Sequence, residues 1–135
     1  MSKQPYYWNV AKRHLVKKDQ VMKKLIKNYS DKNLTTRKNV FFSLCKSIIG
    51  QQISVAAANS VFSKFNLACK AKINPKVVNL ISTSKLKKCG LSRQKVKGIK
   101  ELAKKYLNKK FNPKLINKMN DEEAIQYLSE LRQIG

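Results

Sequence analysis

The sequence predicts an all-α protein, and three observations support this prediction. Only four glycines and three prolines occur in 135 residues, which leaves few places for the tight turns that join β-strands. Apolar residues recur at helical spacing almost throughout. Residues that favour helix starts and ends separate these stretches. We therefore expect eight or nine short helices in a single domain over residues 1–135, which is long enough to bury a core.

Two helices are predicted before the first long polar segment, and Asp19 lies between them as the N-cap of the second. Residues 28–36 are polar and predict a loop. The apolar stripe of the first helix is Tyr7, Trp8, Ala11 and Leu15. The stripe of the second is Val21, Met22, Leu25, Ile26 and Tyr29.

The third predicted helix ends at Gly50, and Ser54 caps the fourth. Three consecutive alanines near the start of the fourth helix are small enough for a close approach between helices. The apolar residues of the third helix are Phe41, Leu44, Cys45, Ile48 and Ile49. Those of the fourth are Ala57, Ala58, Val61, Phe62 and Phe65.

Short helices are expected next, one with Pro75 in its first turn and one capped by Ser82 or Ser84. Gly90 fits a left-handed helix terminus, and Ser92 fits the N-cap of a longer helix. The stripe of that helix is Val96, Ile99, Leu102, Ala103, Tyr106 and Leu107.

Two further helix starts are predicted near the C-terminal end of the sequence. Pro113 opens a short helix, and Asn120 with Glu123 forms a capping-box pattern for the last helix. The apolar residues of the last helix are Ala124, Ile125, Leu128 and Leu131.

The charge balance indicates a polyanionic partner. Lys and Arg number 30 against 7 Asp and Glu, for a formal net charge of +23. Nucleic acid is the first candidate and an anionic membrane surface the second. A lysine-biased proteome is the alternative explanation, since arginine occurs only at positions 13, 37, 93 and 132.

The cysteines and the apolar runs argue against a metal-binding, a secreted and a membrane-spanning protein. Cys45, Cys69 and Cys89 have no CxxC spacing, so they predict buried free thiols in a reducing compartment and no metal site. We expect no secretory signal peptide, because no apolar stretch follows the first residues. No apolar run is long enough to predict a membrane-spanning helix.

The segment 47–58, Ser-Ile-Ile-Gly-Gln-Gln-Ile-Ser-Val-Ala-Ala-Ala, places two adjacent amides between two predicted helices. It resembles the signature of the alkylation-repair DNA glycosylases, the DNA-3-methyladenine glycosylase II branch of the helix-hairpin-helix superfamily. Segments 89–95 and 121–135 are similar to two later parts of that family. Tyr7-Trp8, His14-Leu15 and Lys18-Asp19 resemble its opening helices, so the resemblance runs along the whole chain.

The resemblance implies a multi-helix helix-hairpin-helix DNA glycosylase domain whose chain stops before the hairpin, with Gly135 as the first residue of the hairpin turn. The implied activity is base excision repair, the flipping and hydrolytic removal of alkylated purines such as 3-methyladenine. In the family the catalytic aspartate follows this point. We therefore expect no catalytic residue in this chain and little activity from it alone. No cofactor and no metal are implied.

The resemblance also implies positions for DNA contacts. Gln52 corresponds to the residue that fills the gap left by a flipped base, and Gln51 and Ile53 line the same elbow. The alternative is that the two amides only cap helix ends. Backbone amides that follow Ser54 and Ser92 begin helices and suit phosphate groups, with Arg93, Lys95 and Lys97 as nearby cations.

Aromatic residues suit the wall of a pocket for a cationic base. The candidates are Tyr7, Trp8, Phe41 and Phe42, although most of them are expected to be core residues. The expected partner is double-stranded DNA that contains alkylated bases, bound by a monomer in the cytoplasm or, in a eukaryote, the nucleus. A non-catalytic basic DNA-binding module is the alternative function. A protein of the membrane surface ranks last, because the apolar stripes are needed for a core.

Overall fold

The computed structural model describes residues 3–33 and 39–134. This part of the chain is helical and contains no β-strand, which confirms the all-α fold class. None of its helices has the length and apolar character that crossing a membrane requires. The described helices are α1 (Trp8–Lys18), α2 (Gln20–Asn28), α3 (Val40–Gly50), α4 (Val55–Ala68), α5 (Pro75–Leu80), α6 (Thr83–Lys88), α7 (Arg93–Leu107), a 3₁₀ helix (Pro113–Lys118) and α8 (Asp121–Ser129).

The chain divides into two compact units, Met1–Asn39 and Val40–Gly135, and the single domain over residues 1–135 stays a prediction. In the N-terminal unit α1 packs against α2. The Asp19 carboxylate accepts hydrogen bonds from the backbone amides of Val21 and Met22 at 2.9 and 3.1 Å. These bonds confirm Asp19 as the N-cap of α2.

Most of the predicted stripe residues of α1 and α2 line a shared apolar groove of about 300 Å³, whereas Tyr7 and Val21 are exposed and do not line it. No described side chain of this unit is buried. The predicted polar loop begins at the end of α2, and its residues 34–36 lie outside the described part of the chain. The groove is lined by Trp8, Ala11, Lys12, Leu15, Met22, Leu25, Ile26, Tyr29 and Lys32.

In the C-terminal unit, α7 packs against α3, α5 and α6. Its predicted stripe supplies Val96, Ile99, Leu102 and Ala103 to the core, whereas Leu107 is exposed. The other fully buried large side chains come from several helices and their ends. They are Cys45, Ile48, Ile49, Phe65, Cys69, Val78 and Leu86.

Side-chain caps start most of these helices, as the sequence predicts. Ser54 and Ser92 accept hydrogen bonds from the backbone amides of Ala57 and Lys95 at 3.1 and 3.2 Å. Of the two candidates for α6, Ser82 is the cap and Ser84 lies inside the helix. Gly90 has φ +99°, which confirms the left-handed terminus before α7. These caps set the direction in which α4 and α7 enter the core.

Helix α3 ends at Gly50, as predicted. The left-handed residue of the connection that follows is Gln52, with φ +58°. A Cβ atom placed on Gly50 would lie 3.9 Å from the Cβ atom of Ala58. This is an ordinary contact distance, so the packing of α3 on α4 leaves room for a small side chain at position 50.

The last helix is capped as predicted but buries different residues. Asn120 accepts a hydrogen bond from the Glu123 amide at 2.9 Å and donates one to the Glu123 carboxylate at 2.6 Å. Ile125, expected in the apolar stripe, is 66% exposed. Leu131 lies beyond α8 and is buried. The residues after α8 therefore contribute to the core.

All three cysteines are buried and free, as predicted. Burial raises the pKa of the Cys45 thiol to about 12 and that of Cys69 to about 11, and neighbouring thiols add to both shifts. Burial also raises the pKa of Cys89. The thiols are therefore neutral near pH 7 and act as small apolar core groups.

Candidate nucleic-acid interface

The connection between α3 and α4 is an elbow of four residues, Gln51–Ser54. Ile48 and Ile49 are buried at one end of it, and Ser54 caps α4 at the other. Because both flanking helices are fixed by the core, the elbow is a short segment between two rigid supports. Ile53 is exposed on the elbow, at 41%, and Val55 is exposed at the first position of α4, at 78%.

Gln52 lies exposed in this elbow in a left-handed conformation, with φ +58°. Few residues other than glycine, asparagine and aspartate adopt this conformation. The side-chain amide of Gln52 has no hydrogen-bond partner among the described residues. An outlier of this kind is a reason to suspect function. Gln52 does not act as a helix cap here, so the capping alternative does not explain its side chain.

Gln51, in contrast, is half-buried and its amide is used within the protein. Its Nε2 donates a hydrogen bond to the backbone carbonyl of Gln133 at 2.5 Å. Gln133 also has a positive φ, +69°. The two neighbouring glutamines therefore differ, since one amide fastens the elbow and the other is free.

The Lys95 ammonium contacts the same elbow from the first turn of α7. Its Nζ donates hydrogen bonds to the carbonyls of Ile49 and Gln51, both at 2.8 Å. These carbonyls lie at the C-terminal end of α3, where a cation is favoured. We call three hydrogen bonds the clasp. Gln51 Nε2 donates to the Gln133 carbonyl, and Lys95 Nζ donates to the carbonyls of Ile49 and Gln51.

Gly98 and an ion pair hold the segment that supplies Gln133. A Cβ atom on Gly98 would lie 2.8 Å from Cγ of Gln133 and 3.4 Å from the carbonyl oxygen of Arg132, so the segment packs directly on α7. Arg132 Nε lies 2.8 Å from the Glu101 carboxylate. The clasp therefore joins α3, α7 and the residues after α8.

Two helix starts offer backbone amides to an anion. Ser54 and Ser92 each satisfy one amide of the first turn, and the amides at the first two positions of α4 and α7 have no intrahelical partner. Arg93 is exposed at the start of α7, with no partner among the described residues. This arrangement suits phosphate oxygens.

Of the four predicted pocket aromatics, two lie in each of the compact units. Tyr7 and Trp8 belong to the N-terminal unit, where Trp8 Nε1 donates a hydrogen bond to Asn33 at 3.2 Å. Phe41 is buried against Tyr106. Phe42 is half-buried and packs edge-on against Phe62. Phe41 therefore has the core role expected for most of these residues.

None of the seven carboxylates in the described residues is buried. Asp19 and Glu123 serve at the starts of helices, and Asp31 lies 3.6 Å from Lys32. Glu101 pairs with Arg132, close to the clasp. In the same part of the chain no cluster of cysteine, histidine and carboxylate side chains is arranged to hold a metal ion.

Sequence reasoning missed Gln133 and Gly98. Gln133 lies 82 residues from Gln51, and no local pattern links the two. Gly98 carried a usable signal, because a glycine in the middle of a helical stripe often marks a close approach of another chain segment. The ammonium of Lys95 lies on backbone carbonyls, and its predicted place among the cations near DNA phosphates stays a prediction.

Comparison with known proteins places these features in a family. A family model described as "HhH-GPD superfamily base excision DNA repair protein" matches residues 45–133. The chain is 30% identical over 130 residues to the alkylbase DNA glycosidase-like protein mag2 of Schizosaccharomyces pombe, a match that covers 92% of this chain and 61% of mag2. It is 24% identical over 131 residues to DNA-3-methyladenine glycosylase 1 of the same organism, covering 93% and 58%. The chain thus spans about three fifths of the length of these relatives.

Solved structures share the fold at lower identity. S. pombe Mag1 in complex with abasic DNA has a TM-score of 0.76 at 22% identity and covers 93% of this chain and 64% of its own. The DNA-3-methyladenine glycosidase of Bacillus halodurans has a TM-score of 0.72 at 22% identity, with coverage of 90% and 56%. Because the family model spans the elbow, α7 and Gln133, and mag2 matches nearly the whole chain, this protein belongs to the HhH-GPD superfamily of base excision DNA repair proteins and is 3-methyladenine glycosylase-like.

Proposed function

We propose that this chain works in a DNA glycosylase that flips alkylated purines such as 3-methyladenine out of double-stranded DNA and removes them by hydrolysis. Membership of a base excision repair superfamily supports the proposal, as do the names of its relatives. In this proposal the protein binds DNA as a monomer, in the cytoplasm or in a nucleus. The elbow recognises the gap that flipping creates.

The proposal rests on the exposure, the free amide and the backbone conformation of Gln52. Its side chain is exposed, its amide is free, and its backbone is fixed in a left-handed conformation by neighbours on both sides. The surrounding chain carries a net charge of +23, which attracts duplex DNA. A fixed polar side chain on such a surface is suited to entering the duplex.

The energetic argument concerns the gap left by the flipped base. Unstacking a base costs a few kcal/mol. A planar amide that enters the gap stacks on the neighbouring bases and forms hydrogen bonds with their edges. Because the backbone at Gln52 is already fixed, little conformational freedom is lost on entry. The helix starts at Ser54 and Ser92 would hold phosphates on either side.

The chemistry requires little acid catalysis for this class of substrate. A purine alkylated at N3 or N7 carries positive charge and is already a good leaving group. A carboxylate close to the sugar stabilises the oxocarbenium-like transition state. We assign that role to none of the seven carboxylates of this chain, since each is exposed or already engaged in a cap or an ion pair.

The same observation favours a second candidate function, a non-catalytic DNA-binding module. Such a module needs the basic surface and the elbow but no carboxylate near the sugar. The two functions are separated by measuring the release of methylated bases from alkylated DNA. Turnover well above background by the purified chain would support the enzyme and direct attention to Glu101 and Asp31.

Binding to duplexes with and without an abasic site tests the role of Gln52. We expect Gln52→Ala to weaken binding to the abasic duplex by roughly tenfold, the scale of one lost stacking contact, and binding to intact duplex much less. Gln52→Gly should give the same selective loss, because glycine keeps the left-handed backbone without strain.

The matched control is Gln126→Ala, which removes an exposed glutamine from α8. It should leave the ratio of the two affinities unchanged. Equal losses on both duplexes for the Gln52 variants would overturn the proposed role of the elbow.

A further inference from the structure

We infer that Lys95 and the Gln133 carbonyl are positioning residues that hold Gln52 ready for the gap in the duplex, and that the Lys95 ammonium is not a phosphate ligand. The inference rests on the proposed function of Gln52. It states that the recognition of damage depends on the clasp, whose hydrogen bonds lie within the protein. Neither residue needs to touch DNA.

The first step is the position of Lys95. Its Nζ lies 2.8 Å from the carbonyl oxygens of both Ile49 and Gln51, and its side chain is half-buried. A lysine ammonium has three donors, and two of them are directed into the protein. The two carbonyls flank Gly50, so Lys95 fixes the chain immediately before Gln52.

The second step is the anchoring of Gln51. Its carbonyl is bound by Lys95 and its side-chain amide by the Gln133 carbonyl. Both the main chain and the side chain of this residue are therefore restrained. Because Gln51 is restrained, the backbone of the next residue, Gln52, is also held, in a left-handed conformation that a residue with a Cβ atom disfavours.

The third step is the support of Gln133. Gly98 lets the segment around Gln133 pack against α7, and the pair of Arg132 with Glu101 joins the same segment to α7 at 2.8 Å. Lys95 lies on the same helix. One helix thus provides both supports of the elbow.

A phosphate-binding lysine and a positioning lysine give different signatures. Removing a phosphate contact weakens binding to every duplex about equally and lowers the dependence of log affinity on log salt by about one unit. Removing a positioning residue leaves the salt dependence unchanged. It weakens binding only to duplexes with a gap that the Gln52 side chain can enter. The second signature is expected for Lys95.

The experiment measures the affinity of the full chain for intact and abasic duplexes over a range of salt concentrations. We expect Lys95→Met to lose affinity for the abasic duplex several-fold more than for the intact duplex, with an unchanged salt slope. Lys97→Met is the matched contrast, because it removes an ammonium from the same helix. The Lys97 ammonium is exposed and has no partner among the described residues. Any loss that it causes should be equal on both duplexes.

A double variant shows whether Lys95 acts through Gln52. If it does, Lys95→Met combined with Gln52→Ala should bind the abasic duplex about as well as Gln52→Ala alone, since effects within one network are not additive. Lys95→Arg keeps the charge and several donors, so we expect it to retain most of the selectivity. It also serves as a second variant if Lys95→Met folds poorly.

The outcomes separate this inference from the proposed function. A lowered salt slope with equal losses for Lys95→Met, or additive losses in the double variant, would overturn the inference while a selective effect of Gln52→Ala still stands. Equal losses for Gln52→Ala would overturn the function itself.

Discussion

Gln52 keeps a backbone conformation that costs a residue with a Cβ atom about 1–2 kcal/mol. The bonds of the neighbouring clasp offset this cost. A hydrogen bond to a charged group contributes about 1.5–3 kcal/mol, and Lys95 donates two of them to the carbonyls of Ile49 and Gln51. The strained conformation is therefore stable before any DNA is bound.

Gly98 gives a prediction about stability at a single position. We expect Gly98→Ala to lower the free energy of unfolding by about 1–2 kcal/mol. The added Cβ atom would lie 2.8 Å from Cγ of Gln133, and the resulting displacement outweighs the gain of about 1 kcal/mol in helix propensity. Urea denaturation followed by circular dichroism measures the change.

Gly50→Ala is the control for Gly98→Ala. Its Cβ atom would lie at an ordinary contact distance, 3.9 Å from Ala58, at the last residue of α3. Its effect should range from none to a stabilisation of about 1 kcal/mol. If both substitutions stabilised the protein, the segment at Gln133 would not pack on α7 as described.

Among the elements, α7 organises the C-terminal unit through two lysines as well as through its apolar stripe. Lys95 binds carbonyls at the end of α3, and Lys100 binds the carbonyls of Asn79 and Ile81 at 2.7 and 2.5 Å at the end of α5. Burial lowers the pKa of Lys100, and the nearby Lys104 lowers it further. The ammonium groups of Lys95 and Lys100 thus hold helix ends in place.

The cap of α6 gives a prediction at the level of an element. We expect Ser82→Ala to lower the free energy of unfolding by about 1 kcal/mol, because Ser82 Oγ accepts a hydrogen bond from the Lys85 amide at 3.1 Å. Ser84→Ala, inside the first turn of the same helix, should change it by less than about 0.5 kcal/mol. Thermal unfolding of the two variants side by side measures the difference, and the reverse order would contradict the assigned cap.

The sequence was sufficient for features that depend on neighbouring residues. The caps at Ser54, Ser92 and Asn120 were predicted because an N-cap and the amide that it binds lie within three residues. The left-handed conformation of Gln52 had no such signal, because glycine is the usual residue in that conformation after a helix. The bond from Gln51 to Gln133 had no local signal, since the partners meet only in the folded core.

On the scale of the whole molecule, the excess of positive charge favours polyanionic partners. Lys and Arg exceed Asp and Glu by 23, from 30 and 7. We expect affinity for duplex DNA to fall steeply with salt, by about 10³-fold or more between 50 and 200 mM if six or more phosphates are contacted. Titration of a labelled duplex at several salt concentrations measures the slope. An affinity that hardly changes with salt would show that the lysine excess reflects composition alone.

The hydrogen bond between Gln51 and Gln133 also constrains the order in which the protein folds. It closes a loop of 82 residues, and closing a loop of that length costs about 4 kcal/mol in chain entropy by logarithmic scaling. Contacts between distant residues form late for this reason. During synthesis on the ribosome, α3 and α4 emerge well before Gln133, so the bond that anchors the turn between them cannot form until the residues up to Gln133 are made. The exposed side chain of Gln52 would therefore acquire its fixed position later than the helices on either side of it acquire theirs.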